Sequence, residues 1–285
     1  MTYKSWWNPL CFALFAIVLL TACSPGTAHK PAEKESFKER LAKAEAMFQE
    51  RCKSAGEKIL RTIDNVEGIF LLKVRPSGIN RAKQFEMDDP YGSDFSGDAY
   101  IKSFLRGHYE AETSGIPIAG APPAPKGYRY VEAIDPNDGK RYRFTGSVKE
   151  VRHTTSVLMG GDGKTTFVTK DFVLDKVLGP ATPPRYGITY DDISTHEERE
   201  YWIAGSSLKV IDLKTNEVIA ERIGYMMDRG QGNTSGGRSP WLFADDNACP
   251  TFQLNPLRPP GHGSIAKLRQ TERFVEKTLK PKLEK

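Results

Sequence analysis

The chain reads as an α+β domain: a mostly antiparallel sheet with an N-terminal and a C-terminal helix packed on one of its faces. Three observations predict this. Apolar residues recur at steps of three and four near the start of the body and again near its end, and the stretch between them holds short apolar runs. Bends rich in Asp, Asn, Pro and Gly separate several of those runs. An order of helix, strands and helix is also distinct from the strand–helix alternation of a doubly wound sheet.

The first helix is predicted from Phe37, Leu41, Ala44, Phe48, Cys52, Ala55 and Ile59, which share one face, with Lys, Glu and Arg on the other. That spacing turns Cys52 toward the core. From Val66 to Arg75 the residues are short, branched and apolar until Pro76, which predicts a central strand. Two hairpins follow from their bends: Tyr128 to Ile134 with Lys140 to Val151 around Asp135-Pro136-Asn137-Asp138-Gly139, and Leu208 to Leu213 with Val218 to Met227 around Lys214-Thr215-Asn216-Glu217. A third pair, Thr154 to Met159 with Thr165 to Leu178, is expected around Gly160-Gly161-Asp162-Gly163. Ala99 to His108 suits a short helix, while Gly115 to Gly127 carries four prolines and suits an irregular crossing. Ser264 is placed to cap a closing helix on which Ile265, Leu268, Val275 and Leu279 share a face before Pro281 stops it.

Ahead of this body, Lys4 precedes the apolar block Leu10 to Leu20, and the segment closes with Leu20-Thr21-Ala22-Cys23. A charged start, a short apolar core and small residues before a cut are the parts of a secretory signal, and the core is too short to span a bilayer comfortably. Residues 24 to 34, small, polar and proline-bearing, have the composition of a tether. The expected organisation is therefore a signal over 1–22, a tether over 23–34 and one domain over 35–285.

The four residues Leu20 to Cys23 resemble the lipobox of bacterial lipoproteins, a resemblance confined to the start of the chain. It implies that Cys23 becomes the first mature residue and carries a diacylglycerol on sulfur and a third acyl chain on its amine, a combination that anchors stably. By the same resemblance, Ser24 in place of an Asp implies release to the outer membrane, with the body facing the periplasm.

The chain has four cysteines. With Cys11 leaving in the signal and Cys23 acylated, Cys52 and Cys249 remain, and an oxidising compartment predicts one disulfide between them. Over the whole sequence 41 basic residues face 36 acidic ones, interspersed along most of its length, so no basic stripe marks a nucleic-acid partner.

Catalytic patterns fail one by one. Gly163-Lys164-Thr165 ends like a phosphate loop, but the first glycine of that pattern would fall at Leu158. Ser206 and Lys209 have the spacing of a Ser-x-x-Lys pair, yet on a strand they point to opposite faces. His196, Glu197 and Glu200 resemble half of a zinc-protease helix whose second histidine is replaced by Glu200. Asp88, Asp89, Asp94 and Asp98 form an acidic loop of the oxygen-rich kind that Ca²⁺ accepts, without the offsets of an EF-hand. The segment Asp228 to Asn247 shows no evident secondary structure. Within it Arg229, Arg238, Trp241 and Phe243 are the candidate partner-binding residues, against the reading in which Trp241 and Phe243 anchor the loop to its own core.

The expectation is a non-catalytic accessory lipoprotein that holds another envelope component, with a protein of the envelope as partner and no cofactor. Two alternatives stand beside it. One is an envelope hydrolase or metal-dependent enzyme using His196 with Glu197, Glu200 or the pair Asp191 and Asp192; the other is a small-ligand receptor with a pocket under the 228–247 loop.

Overall fold

In the computed structural model the described residues are 35–78, 81–92, 95–109, 125–252 and 269–283. Contacts divide the chain into a unit ending at Glu35 and a second, from Ser36 onward, that holds the fold. Its elements in chain order are α1 (Phe37–Cys52), β1 (Gly56–Ile59), β2 (Ile63–Val66), β3 (Gly68–Leu71), α2 (Asp98–Ser103), β4 (Tyr130–Ile134), β5 (Arg141–Thr154), β6 (Thr166–Leu178) and β7 (Tyr186–Asp192). There follow α3 (His196–Glu200), β8 (Ile203–Asp212), β9 (Glu217–Met227), α4 (Pro240–Phe243), β10 (Ala248–Cys249), α5 (Gln270–Thr278) and β11 (Leu279–Pro281).

A nine-stranded sheet runs β1-β9-β8-β7-β3-β4-β5-β6, and β10 lies beside β1 along the same edge of β9. Most pairings are antiparallel, but β3 runs parallel to both neighbours, β4 and β7. The long connection from β3 to β4, which carries α2, makes this possible, because parallel neighbours need a crossover. Beside the main sheet, β11 pairs in parallel with β2.

Helix α1 begins where the sequence supports it: Ser36 and Glu39 close a reciprocal capping box, with the Glu39 N–H donating to Ser36 Oγ at 3.3 Å and the Ser36 N–H to Glu39 Oε2 at 2.9 Å. It ends sooner than the periodicity predicts. The turn after Cys52 leads through Gly56, at φ 153°, into β1, so Ala55 and Ile59 leave the helix and Ile59 pairs with Ala220 of β9. The expected strand Val66 to Arg75 is likewise divided, with Val66 in β2 and only Gly68–Leu71 in the ladder.

The two predicted hairpins form as β4–β5 and β8–β9, and the third pair merges with the first so that β5 is fourteen and β6 thirteen residues long. The closing helix is α5, which gives way to β11 at Leu279; Ser264, Ile265 and Leu268 lie outside the described residues.

The terminal helices do not share a face. Ala44 and Phe48 of α1 pack with Ile203, Tyr225 and Met227, whereas Phe274 of α5 lies 5.8 Å from the guanidinium of Arg222. Residues 222 and 225 of one strand point to opposite faces. On the Arg222 face, Gly224 admits the ring of Tyr91, since a Cβ there would stand 2.1 Å from it. The largest core cluster gathers Ile69, Leu71, Tyr100, Val131, Ile188 and Leu208 where the parallel strands meet α2.

Candidate functional site

Cys52, at the end of α1, and Cys249, in β10, meet on the edge of β9. Their Cα atoms are 5.6 Å apart and the sulfurs 2.00 Å, forming the expected disulfide across 197 residues.

The 228–247 segment is ordered, with 3₁₀ turns at Ser235–Gly237 and Ala244–Asp246 on either side of α4. Buried Asp228 organises it. Its carboxylate accepts from the Gly230 N–H at 2.9 Å, the Gly232 N–H at 2.8 Å and both terminal nitrogens of Arg238. Trp241 is fully buried, packs against Trp202 with the rings tilted and their centroids 4.9 Å apart, and donates its indole N–H to the Lys83 carbonyl at 2.8 Å. Arg238 covers Phe243 at 4.7 Å. Of the four candidate residues Arg229, Arg238, Trp241 and Phe243, Arg229 alone is exposed, and it pairs with Glu45 of α1 at 2.8 Å. Trp241 and Arg238 thus fasten the loop to the protein's own core, beside the disulfide.

The acidic candidates are spread among cations. Asp88 pairs with Lys73 at 2.8 Å, and buried Asp89 with buried Arg75 at 2.9 Å, while Arg75 stacks on Tyr190 at 3.8 Å. Asp192 accepts from the Asp89 N–H at 3.2 Å and pairs with Arg199. Asp191, on the opposite face of β7, pairs with Lys209 at 2.9 Å. Asp94 lies outside the described residues. Among the described residues no three His, Cys, Asp or Glu side chains gather as a metal site. His196 is exposed, stacks on Phe85 at 4.7 Å and stands 3.5 Å from Glu200, and Glu197 is exposed on the same short helix. These groups do not form a nucleophile–base pair with Asp191 or Asp192, whose carboxylates are held by Lys209 and Arg199.

A cleft of about 1030 Å³ opens at the C-terminal ends of β3 and β4, away from the 228–247 loop. Phe144 and Leu174 contribute to its apolar wall, and Asp98, Asp135, Lys176 and the edge of Arg75 supply charge. Lys176 binds Asp135 and lies 3.8 Å over the Tyr142 ring. That ammonium holds the Asp135 carboxyl below the usual carboxylate range, and the Asp135 carboxylate in turn raises Lys176. Asp98, the last of the acidic-loop candidates, is exposed at the mouth.

The feature that sequence reading missed is the arm made by β5 and β6. Strand β4 accompanies β5 only to Phe144, yet the β5–β6 ladder continues to Thr154↔Thr166. Phe172 is the last buried residue, resting 5.3 Å from the His108 ring. From Ser147 to Asp171 nothing is buried, so a two-stranded ribbon of roughly 24 Å from Ser147 to Thr154, at about 3.4 Å per residue, stands clear of the body. Val157, Leu158 and Met159 crown it at 69%, 97% and 87% exposure. The signal was present as an apolar triplet directly before the Gly160-Gly161-Asp162-Gly163 bend, but strand pattern alone does not say which hairpin leaves the body.

Among the described residues no helix is long and apolar enough to cross a membrane. No protein-family model, curated protein or solved structure matches the chain.

Proposed function

We propose that this protein is a lipid-anchored, non-catalytic interaction module of the bacterial envelope, tethered through Cys23 to the outer membrane on its periplasmic side. The observation that carries the reading is the β5–β6 arm, because a lone two-stranded ribbon is marginal in water and contributes no buried side chain to this fold from Ser147 to Asp171. Apolar residues placed at the end of such a ribbon favour a contact outside the domain. The Leu20-Thr21-Ala22-Cys23 motif supports the anchor. Where the carboxylates lie weighs against hydrolysis, since Asp89, Asp191 and Asp192 are each matched to a cation.

The test is to replace residues 150–170 by a tight turn and compare the two proteins by crosslinking in intact cells. The wild type is expected to capture an envelope component that the shortened protein does not. Equal capture by both would remove the arm from the interaction.

The cleft favours a second reading, a receptor for a small amphipathic ligand, because its volume and its apolar wall with few charges are those of ligand sites. Thermal stabilisation by a cell-wall or lipid fragment, lost on Leu174→Arg, would select that reading.

A further inference from the structure

The turn at the end of the arm is built firmly. Asp162 accepts hydrogen bonds from the Thr155 hydroxyl, the Thr165 hydroxyl and the N–H groups of Lys164 at 2.8 Å and Thr165 at 2.7 Å. The Ser156 carbonyl accepts from the Met159 N–H at 3.1 Å and the Gly161 N–H at 2.8 Å, and Gly160 takes the left-handed φ of 81° that reverses the chain. These bonds fix a 3₁₀ turn over Val157–Met159 and face its three side chains to water. The only carboxylate of the turn is thereby occupied within it.

Paired and unpaired charges both lie behind the turn. Along the ribbon, Lys149 pairs with Asp175, His153 lies 2.8 Å from Asp171, and Glu150 sits opposite Lys170 in the ladder. Arg152, on the strand leading to the apolar triplet, and Lys164, in the turn beyond it, are exposed and make no ion pair among the described residues. Phe167 and Val168, about half exposed, add apolar area on the two opposite faces of the adjoining strand, Phe167 stacking on His153 at 5.4 Å. A convex apolar point with free cations behind it matches the layering of an anionic bilayer, in which phosphates lie above the acyl boundary. A protein pocket would need a cavity shaped to this point, and nothing in the charge pattern requires one.

We infer that the arm tip is a membrane-contacting element that inserts Val157, Leu158 and Met159 into the interface of an anionic lipid surface, with Arg152 and Lys164 meeting the headgroups. This rests on the reading of the arm as the interacting element. On a tethered domain the contact is intramolecular with the anchor, so a weak intrinsic affinity suffices to orient the domain on its membrane.

The test uses the mature chain with Cys23→Ala, which lacks the anchor, and vesicles of phosphatidylethanolamine with phosphatidylglycerol. Wild type is expected to sediment with them, and Leu158→Asp/Met159→Asp to lose at least about tenfold in affinity. Arg152→Gln/Lys164→Gln is expected to lose several-fold, an effect that added salt abolishes. Leu158→Trp gives a direct readout, its emission shifting to the blue when vesicles are added. All these side chains are exposed, so unfolding temperatures should stay unchanged and report any misfolding. Failure of the wild type to bind, equal binding by the Asp variant, or loss of self-association in place of loss of lipid binding would each overturn the inference. If lipid binding fails while shortening the arm still abolishes capture in cells, the interaction-module reading survives and only its lipid contact is wrong.

Discussion

Replacing Arg238 with Ala distinguishes a residue that recognises a partner from one that holds the fold. The substitution removes both charge-assisted hydrogen bonds to Asp228, the bond to the Asn233 carbonyl at 3.0 Å and the stacking on Phe243. Asp228 has no exposed surface, so its carboxylate would stay buried with only the Gly230 and Gly232 N–H groups. Breaking one side of a buried ion pair costs about 3–5 kcal/mol. The two retained N–H bonds and the 21% exposure of Arg238 place this case near the lower limit, about 3 kcal/mol. For a domain of this size that corresponds to a fall of roughly 6–12 °C in Tm. Calorimetry of the oxidised mature chain would measure it, and Asp228→Asn combined with Arg238→Ala should cost less than the sum of the single changes, with a coupling above about 1 kcal/mol. A Tm shift below about 2 °C for Arg238→Ala would refute the argument and return Arg238 to the list of interface residues.

The disulfide and one carboxylate provide further checks. Cys52→Ser/Cys249→Ser releases a 197-residue separation, for which the chain-entropy relation gives up to about 5 kcal/mol, read as a lower urea midpoint; two alkylatable thiols in the unreduced wild type would show that the bridge is absent. Asp212 is held below the ordinary carboxylate range chiefly by its hydrogen bonds to Arg185. A depressed folded pKa contributes stability above the unfolded value of about 3.9 and loses it as pH falls through the folded value. The stability gap between wild type and Asp212→Asn should therefore be full at neutral pH and shrink below about pH 4; a gap constant down to pH 2 would contradict the pairing.

The parts of this fold that were legible in sequence are those fixed locally. Asp135 to Gly139 and Lys214 to Glu217 announce their hairpins through residues suited to bends, and the spacing of Phe37, Leu41, Ala44, Phe48 and Cys52 marks α1. The parallel placement of β3 was not legible, because its neighbours β4 and β7 lie far along the chain and nothing in Gly68–Leu71 specifies direction. Strand β7 escaped notice for a related reason: its last residues, Asp191 and Asp192, read as candidate catalytic carboxylates, whereas each ends in an ion pair that only tertiary structure supplies. Trp241 signalled burial by type, but Asp228, to which its loop is fastened, looks in sequence like any loop aspartate. Arg75 is similar, its burial between Asp89 and Tyr190 depending on three separate segments.

Both proposals for the arm assume a domain held at a membrane by its first mature residue. The most direct measurement is the intact mass of the protein extracted from membranes, with and without reduction. The expected species begins at Cys23, carries a diacylglycerol and an additional acyl chain there, and gains the mass of two hydrogens on reduction. A chain that still begins at Met1, or one whose Cys23 is unmodified, would contradict the anchor and with it the placement of the arm against an envelope surface.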